Sequence, residues 1–277
     1  MVKIVTDSNA DMNRALCQEI GVADVAATYV MFGDENFSSL DLSPAEFHTR
    51  MKSSADLPKT SQPSVGDFVS IFEKLQGEEI VSIHISRGLS GTIASAESAA
   101  GMLGGHPPVT VVDTRQVSAG MAVLVMEGVA AAKAGKSAAE VKAHVESLVL
   151  RSRMHFVVET LENLKRGGRI GGAQAFVGGV LQMKPILTIK DGKIEALERV
   201  RTSGKAVARL REIVINDLQG IPNPRLCIMH VAAPALGQQM ADDLSKALNI
   251  SPPRVLEAGP AIATHAGPGA VGVGYIV

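Results

Sequence analysis

Three short stretches bring together residue types that can do chemistry. "TSQPS" at 60–64 places three hydroxyls ahead of the pattern "VGDFVSIFEKL". A helix needs one capping hydroxyl, and Ser64 supplies it, with Asp67 three residues on as the acidic partner of a capping box. Thr60 and Ser61 are left over for another use. "IHISRGLSGTIASAESAA" at 83–100 puts Ser90 where an apolar strand gives way to a glycine turn and a helix starting near Gly91. The first N–H groups of such a helix lack intrahelical acceptors, and its dipole favours an anion there. The commonest role of a serine at that place is N-cap, so Ser90 gains weight from the second hydroxyl pair at Thr60 and Ser61. "THAGPGAVGVG" at 264–274 sets His265 in a stretch too rich in glycine to be regular structure, where a backbone can approach a ligand closely.

Ser90 and His265 also allow a serine hydrolase, with Ser90 as nucleophile and His265 as base. "GLSGT", however, has Thr92 where the nucleophile elbow G-x-S-x-G requires its last glycine, and no acid partner can be assigned. "LKRGGRIGGAQAFVGGVLQMKPIL" at 164–187 alternates apolar residues with glycines across a predicted helix, as for close packing or the wall of a slot. It has neither G-x-x-x-x-G-K-[ST] nor a G-x-G-x-x-G after a strand, so no nucleotide site is read. The seven histidines show no metal-ligand spacing.

The elements that must hold these residues follow from hydrophobic periodicity. Strand-like runs "VKIVTD", "VAATYVMF", "EEIVSIHIS" and "PVTVVDT" alternate with helical patterns at 12–20, 44–52, 65–76, 91–103, 118–134 and 137–151. Short apolar strands between helices predict βαβ units and a mostly parallel sheet covered on both faces. In such a sheet, ligands favour the crevice beyond the carboxyl ends of the strands, where Ser90 would sit. From about 160 the character changes. "PILTIK", Asp191-Gly192 and "KIEALERVR" predict a β-hairpin, followed by helices at 204–218 and 235–248 and strands "RLCIMHVA", "PRVLEAG" and "GVGYIV". The expected fold is α/β in two domains, 1–158 with the parallel sheet and 159–277 with a mixed or antiparallel one, a length that 277 residues suits.

Composition narrows the functions. Net charge is −1 and no basic run is interleaved with aromatics, which argues against nucleic-acid binding. Aromatics are 3% with no Trp against eleven Met, so the interior is aliphatic and adaptable. Cys17 and Cys227 lie in apolar patterns and read as buried thiols in a reducing compartment. "MVKIVTDS" enters a strand at once, without the features of a signal peptide, and the apolar "VSAGMAVLVMEGVAAAKAG" contains Glu127 and is too interrupted to span a bilayer. A cytoplasmic location is expected.

Taken together, "KIVTDSNAD", "TSQPS", "GLSGTIASA" at 88–96, "GGRIGGAQAFVGGVLQMKPIL" at 167–187, "ERVR" at 198–201 and "HAGPGAVGVGY" at 265–275 resemble, in order and from first strand to last, the DegV family of bacterial fatty-acid-binding proteins. The 167–187 stretch is similar to the fatty-acid-binding subunits of bacterial fatty acid kinase. The resemblance implies a two-domain, non-enzymatic carrier with one long-chain fatty acid buried in it and no other cofactor or metal. Thr60 and Ser90 would contact the carboxylate. Ser61, Gly91 and Thr92 lie in the same two loops and are assigned to that site, and His265 joins the surrounding hydrogen bonds. A separate ATP-dependent kinase would phosphorylate the acid to an acyl phosphate for phospholipid synthesis, docking on Lys165, Arg166, Arg169, Arg199 and Arg201, with transient membrane contact for lipid exchange. A regulatory lipid sensor would share the pocket. Arg87 and Ile93 depart from the family pattern, which has Ser and Tyr there, and a cation at 87 would either strengthen anion binding or face solvent.

Overall fold

The computed structural model describes residues 1–177 and 183–277. The chain opens with β1 (Lys3–Asp7), α1 (Arg14–Ile20) and β2 (Asp24–Ala26), then turns out through β3 (Tyr29–Phe32), β4 (Glu35–Ser38), α2 (Pro44–Ser53) and β5 (Lys59–Ser61). It returns by α3 (Val65–Glu73), β6 (Ile80–His84), α4 (Thr92–Met102), β7 (Val109–Asp113), α5 (Ser118–Lys133) and α6 (Ala138–Val149). The remainder runs β8 (Ser152–Val157), α7 (Glu162–Arg166), β9 (Lys184–Lys190), β10 (Lys193–Val200), α8 (Ser203–Leu218), β11 (Arg225–His230), α9 (Pro234–Leu248), β12 (Arg254–Glu257), α10 (Pro260–Ala266) and β13 (Val271–Ile276).

These strands form a parallel four-stranded sheet, β2-β1-β6-β7, a mixed six-stranded sheet, β10-β9-β8-β13-β11-β12, and a small antiparallel sheet, β4-β3-β5. The α/β class with a parallel first sheet is therefore as the periodicity predicts. Two boundaries differ. The run "VAATYVMF" is split between β2 and β3, which belong to different sheets. β8 precedes residue 158 yet pairs with β9 and β13, so the two large sheets divide the chain between α6 and β8.

Local chemistry fixes the ends of the elements. Ser64 accepts from Asp67 N at 3.0 Å while Ser64 N donates to the Asp67 carboxylate at 2.8 Å, the reciprocal capping box expected of α3. Asp191 and Gly192 turn the β9–β10 hairpin with φ of 49° and 76°. Within 167–187, residues 171–176 form a short 3-10 turn and β9 starts at Lys184, so this much of the stretch is not α-helix; 178–182 lie outside the described residues.

The layers are helix, sheet, helix, sheet, helix. α3 and α4 cover one face of the parallel sheet through Phe68, Phe72, Ala96 and Ala99. α8 and α9 cover the outer face of the mixed sheet through Leu210, Val214, Met240 and Leu244, against Ile186, Val273 and Tyr275. Between the sheets lies α5, buried along nearly its whole length. It touches β1 and β6 on one side and β8, β11 and β13 on the other. Each of its large apolar residues contributes roughly 1.5–3 kcal/mol by that burial. Gly274 lies on the strand face that meets it, and a Cβ there would sit 2.1 Å from Gly120 N, whereas one at Gly272 would meet Met154 and Phe156 of β8 at 2.8 Å. The helix backbone thus rests directly on the strand.

Candidate functional site

A cleft runs along the carboxyl ends of the parallel strands. Loops after β1, β2, β6 and β7 supply Asn9, Thr28, Ile85, Leu89, Ser90 and Val117. The mixed sheet closes it with Met154, Phe156, Ile194 and Met229, and α10 lays Ala261, Ile262, His265 and Ala266 along its length. The body is apolar. The predicted crevice beyond the parallel strands is where the cavity lies.

One end is polar. Thr60 reaches it from β5, whose pairing with β3 fixes its direction, and Thr60 Oγ1 lies 2.9 Å from His265 Nε2. Burial, aided by the nearby Arg169 charge, lowers the His265 pKa to about 4, so the ring is neutral at ordinary pH. His265 Nδ1 is buried without a hydrogen-bond partner among the described residues. An orphan N–H is rarer than an orphan acceptor, which places the proton on Nε2, donating to Thr60 Oγ1. The Thr60 hydroxyl hydrogen is then free for an acceptor in the cavity. Room for the ring comes from Gly167, where a Cβ would stand 2.2 Å from Nδ1.

Arg169 lines the same end. Its guanidinium donates to the carbonyls of Gly167 at 2.8 Å and Leu89 at 3.3 Å, and no carboxylate among the described residues pairs with it. A half-buried cation held only by carbonyls is matched to an anion. Ser90 Oγ stands 2.9 Å from Thr92 Oγ1 and accepts from Thr92 N at 3.3 Å. Gly91, the residue before α4, carries no side chain, and a Cβ there would meet Gln62 Nε2 at 2.8 Å. Gln62 thereby lies over the start of the helix and faces the cavity.

Of the residues singled out in the sequence, Thr60, Ser61, Ser90 and His265 line this cavity. Gly91 and Thr92 stand behind Ser90 rather than on the wall. His265 is not in an irregular loop: it belongs to α10, and the glycines after it enter β13. The basic set does not form one face. Arg169 turns into the cavity, Arg166 pairs with Asp56 at 3.8 Å, and Arg199 stacks on Phe176 at 4.1 Å from the ring centroid; Lys165 and Arg201 are exposed. Arg87 pairs with Glu97 at 2.6 Å on the surface, away from the cavity.

Sequence reasoning missed Arg169 and Gln62 as wall residues, and it missed a buried Ser-His-Asp array. His84 Nδ1 lies 2.9 Å from Asp7 Oδ2, and its Nε2 2.6 Å from Ser82 Oγ. All three residues are 0% exposed, so no substrate reaches Ser82, and the array ties β1 to β6. At Ser90 the hydrolase geometry is not seen: His265 is bonded to Thr60, and no acid among the described residues stands behind its Nδ1. Among the described residues no cluster suited to a metal ion is present, and no helix is long and apolar enough to cross a membrane.

The sequence profile of the DegV family, described as uncharacterised protein, matches residues 1–277. A DegV domain-containing protein of Halalkalibacterium halodurans is 35% identical over 280 residues, covering 100% of this chain and 98% of the relative. Among solved structures, a DegV family protein from Thermus thermophilus, described by its fatty acid binding, superposes with a TM-score of 0.92 at 36% identity, covering 100% of this chain and 99% of that one. A fatty acid (stearic acid)-binding protein from Eubacterium ventriosum superposes with a TM-score of 0.91 at 26% identity, covering 100% and 98%.

Proposed function

The chain belongs to the DegV family, and on that premise we propose that it binds one long-chain fatty acid in the cleft between its two large sheets. One observation carries the reading: a largely apolar cavity ends in Thr60, Ser90, His265 and an Arg169 without an acidic partner among the described residues. The acyl chain supplies affinity. Burying about ten methylenes yields on the order of 8 kcal/mol of gross transfer energy, reduced by the costs of association and ordering. The polar end orients the carboxylate, with Arg169 as counter-charge and the Thr60 hydroxyl donating to one oxygen. The parts of the chain on either side of residue 158 both contribute walls.

In this reading the protein is a carrier in the cytoplasm, not a catalyst. It presents the carboxylate to a separate ATP-dependent kinase and holds the acyl phosphate formed there for phospholipid synthesis. Lys165 and Arg201, exposed and without an ion-pair partner among the described residues, are the part of the basic set available to such a kinase; lipid exchange involves brief contact with a membrane. The test is denaturing extraction of the protein made in bacteria, followed by mass spectrometry. About one long-chain fatty acid per chain is expected, and folded protein free of acyl species would overturn the reading. Incubated with ATP and magnesium alone, the loaded protein should form no acyl phosphate; formation without a kinase would overturn the carrier role.

A further inference from the structure

A second cleft opens where β8 and β9 separate. The ladder between these strands ends at the pair His155–Thr188. Continued in the same register it would set Met154 opposite Ile189 and Arg153 opposite Lys190, but these residues are not paired. Arg153 and Lys190 each lie two residues from the last pair, so they share its face of the sheet. Like charges directly opposite each other destabilise an antiparallel pair, and the strands part where two cations would meet. Arg115, from the loop before α5, adds a third cation to the same cleft.

These charges are not neutralised within the chain. Arg153 Nη1 donates to the carbonyls of Leu150 at 3.1 Å and Ser152 at 2.9 Å, and none of the three cations forms an ion pair among the described residues. Asp191 is the one described carboxylate on the walls. Asp217, beyond the Tyr275 ring, accepts from the Tyr275 hydroxyl at 2.7 Å. The floor offers donors. His155 is 6% and Thr188 9% exposed, and neither side chain has a hydrogen-bond partner among the described residues. Burial lowers the His155 pKa to about 4, so the ring is neutral with a single N–H. Its Nδ1 is sealed off without a partner. An orphan acceptor is commoner than an orphan N–H, which puts the proton on Nε2. The acceptor Gln116 Oε1 is buried on the α5 side, where a Cβ at Gly120 would stand 2.9 Å from it.

We propose that this cleft binds the phosphate group of a monoester, held between Arg153 and Lys190, with Arg115 at the mouth and the His155 N–H and Thr188 hydroxyl beneath it. Three cations against one carboxylate match a dianion, and Val149, Leu150 and Ile189 on the walls suit the organic part of the ester. The bound anion relieves the repulsion between Arg153 and Lys190. Met154, which lines the fatty-acid cleft, points to the opposite face of β8, and no described residue lines both clefts. Leu150 is 74% exposed at the rim, so the same chemistry serves a soluble ester or a lipid head group.

The test follows the imidazole C–H signals of His155 and His265 by NMR, each assigned with its His→Gln variant, at pH 8, above the second phosphate pKa of about 6. His155 reports this cleft and His265 the fatty-acid end. Phenyl phosphate should shift the His155 signals saturably, with half-saturation at about a millimolar or below, and leave those of His265 in place. Lys190→Gln, at an exposed position, should weaken binding about tenfold, the effect of one charge-assisted contact, and Thr188→Val about fivefold. Vesicles of phosphatidylcholine with phosphatidic acid separate the two sources. Sedimentation with them, but not with phosphatidylcholine alone, that phenyl phosphate abolishes assigns a lipid head group; phenyl phosphate binding without sedimentation assigns a soluble ester. No saturable shift of His155, or one that Lys190→Gln leaves unchanged, would overturn the site. A shift confined to His265 would overturn it as well, by placing the anion at the fatty-acid end.

Discussion

Arg169 and Thr60 meet the same end of the cavity with different chemistry, and their substitutions should differ in size. Arg169→Gln removes a charge-assisted contact worth about 1.5–3 kcal/mol, and should weaken long-chain fatty acid binding about 10- to 100-fold in a displacement titration. Thr60→Val removes one hydrogen bond, with an expected loss of about fivefold. Unchanged affinity in Arg169→Gln would move the carboxylate elsewhere. The hydroxyls were legible in the sequence because three stood where a helix needs one. Arg169 was not, because "KRGGR" reads as a solvated basic run until Gly168, with φ of 70°, turns the chain inward. A second prediction concerns protons. His155 and His265 are lowered to about 4 by burial, so stability from them is complete above pH 6.5 and is lost as pH falls towards 4. Asp11 acts in the opposite sense. Burial raises it from 3.8 to about 7, so the folded state holds a proton the unfolded chain releases, and stability falls as pH rises through that window. Asp11→Asn should therefore gain on the unaltered protein by about 2–3 kcal/mol between pH 5 and pH 8, read as a widening difference in Tm. A constant offset would show that this carboxyl titrates normally.

Among the elements, the long helices were legible because each has a continuous apolar stripe or a cap, as α3 has in Ser64 and Asp67. α10 was hidden, and β13, though read as a strand from "GVGYIV", gave no sign of what its glycines are for. α10 is a seven-residue helix starting at Pro260 with small residues on most of its faces, and β13 carries Gly272 and Gly274 where a strand normally carries side chains. Gly274 serves the approach of α5 and Gly272 leaves room for Met154 and Phe156 of β8, tertiary reasons that no local pattern discloses. Gly274→Ala should accordingly destabilise the protein by about 3 kcal/mol, a fall of about 6–12 °C in Tm for a chain of this size. Gly101→Ala in α4, where a Cβ would meet nothing within 4 Å, is the contrast. It should be neutral or stabilising by up to about 1 kcal/mol. Equal effects from the two substitutions, measured by thermal denaturation, would refute the close-contact account of β13.

In the whole molecule, the alternation of strands and helices predicts the two large sheets but not the small β4-β3-β5 sheet, and the order of layers does not follow from it, because nothing in "VSAGMAVLVMEGVAAAKAG" says that two sheets share one helix. The hairpin tip adds a polar tie across the same divide, with Ser86 Oγ donating to Gly192 O at 2.7 Å. α5 belongs to the sequence of the first half and to the interior of both. Severing the peptide chain after Leu150 therefore creates two pieces that each lack something essential. Residues 1–150 would expose the far side of α5 to water, and residues 151–277 would have a sheet with one uncovered face. Neither piece should give a cooperative melting transition alone, whereas the two produced together should reassemble into a nicked particle that melts cooperatively and binds a long-chain fatty acid. A cooperative transition in 1–150 alone would refute this. The buried helix thus makes the molecule one folding unit whose continuity resides in a shared interior more than in the covalent link between its halves.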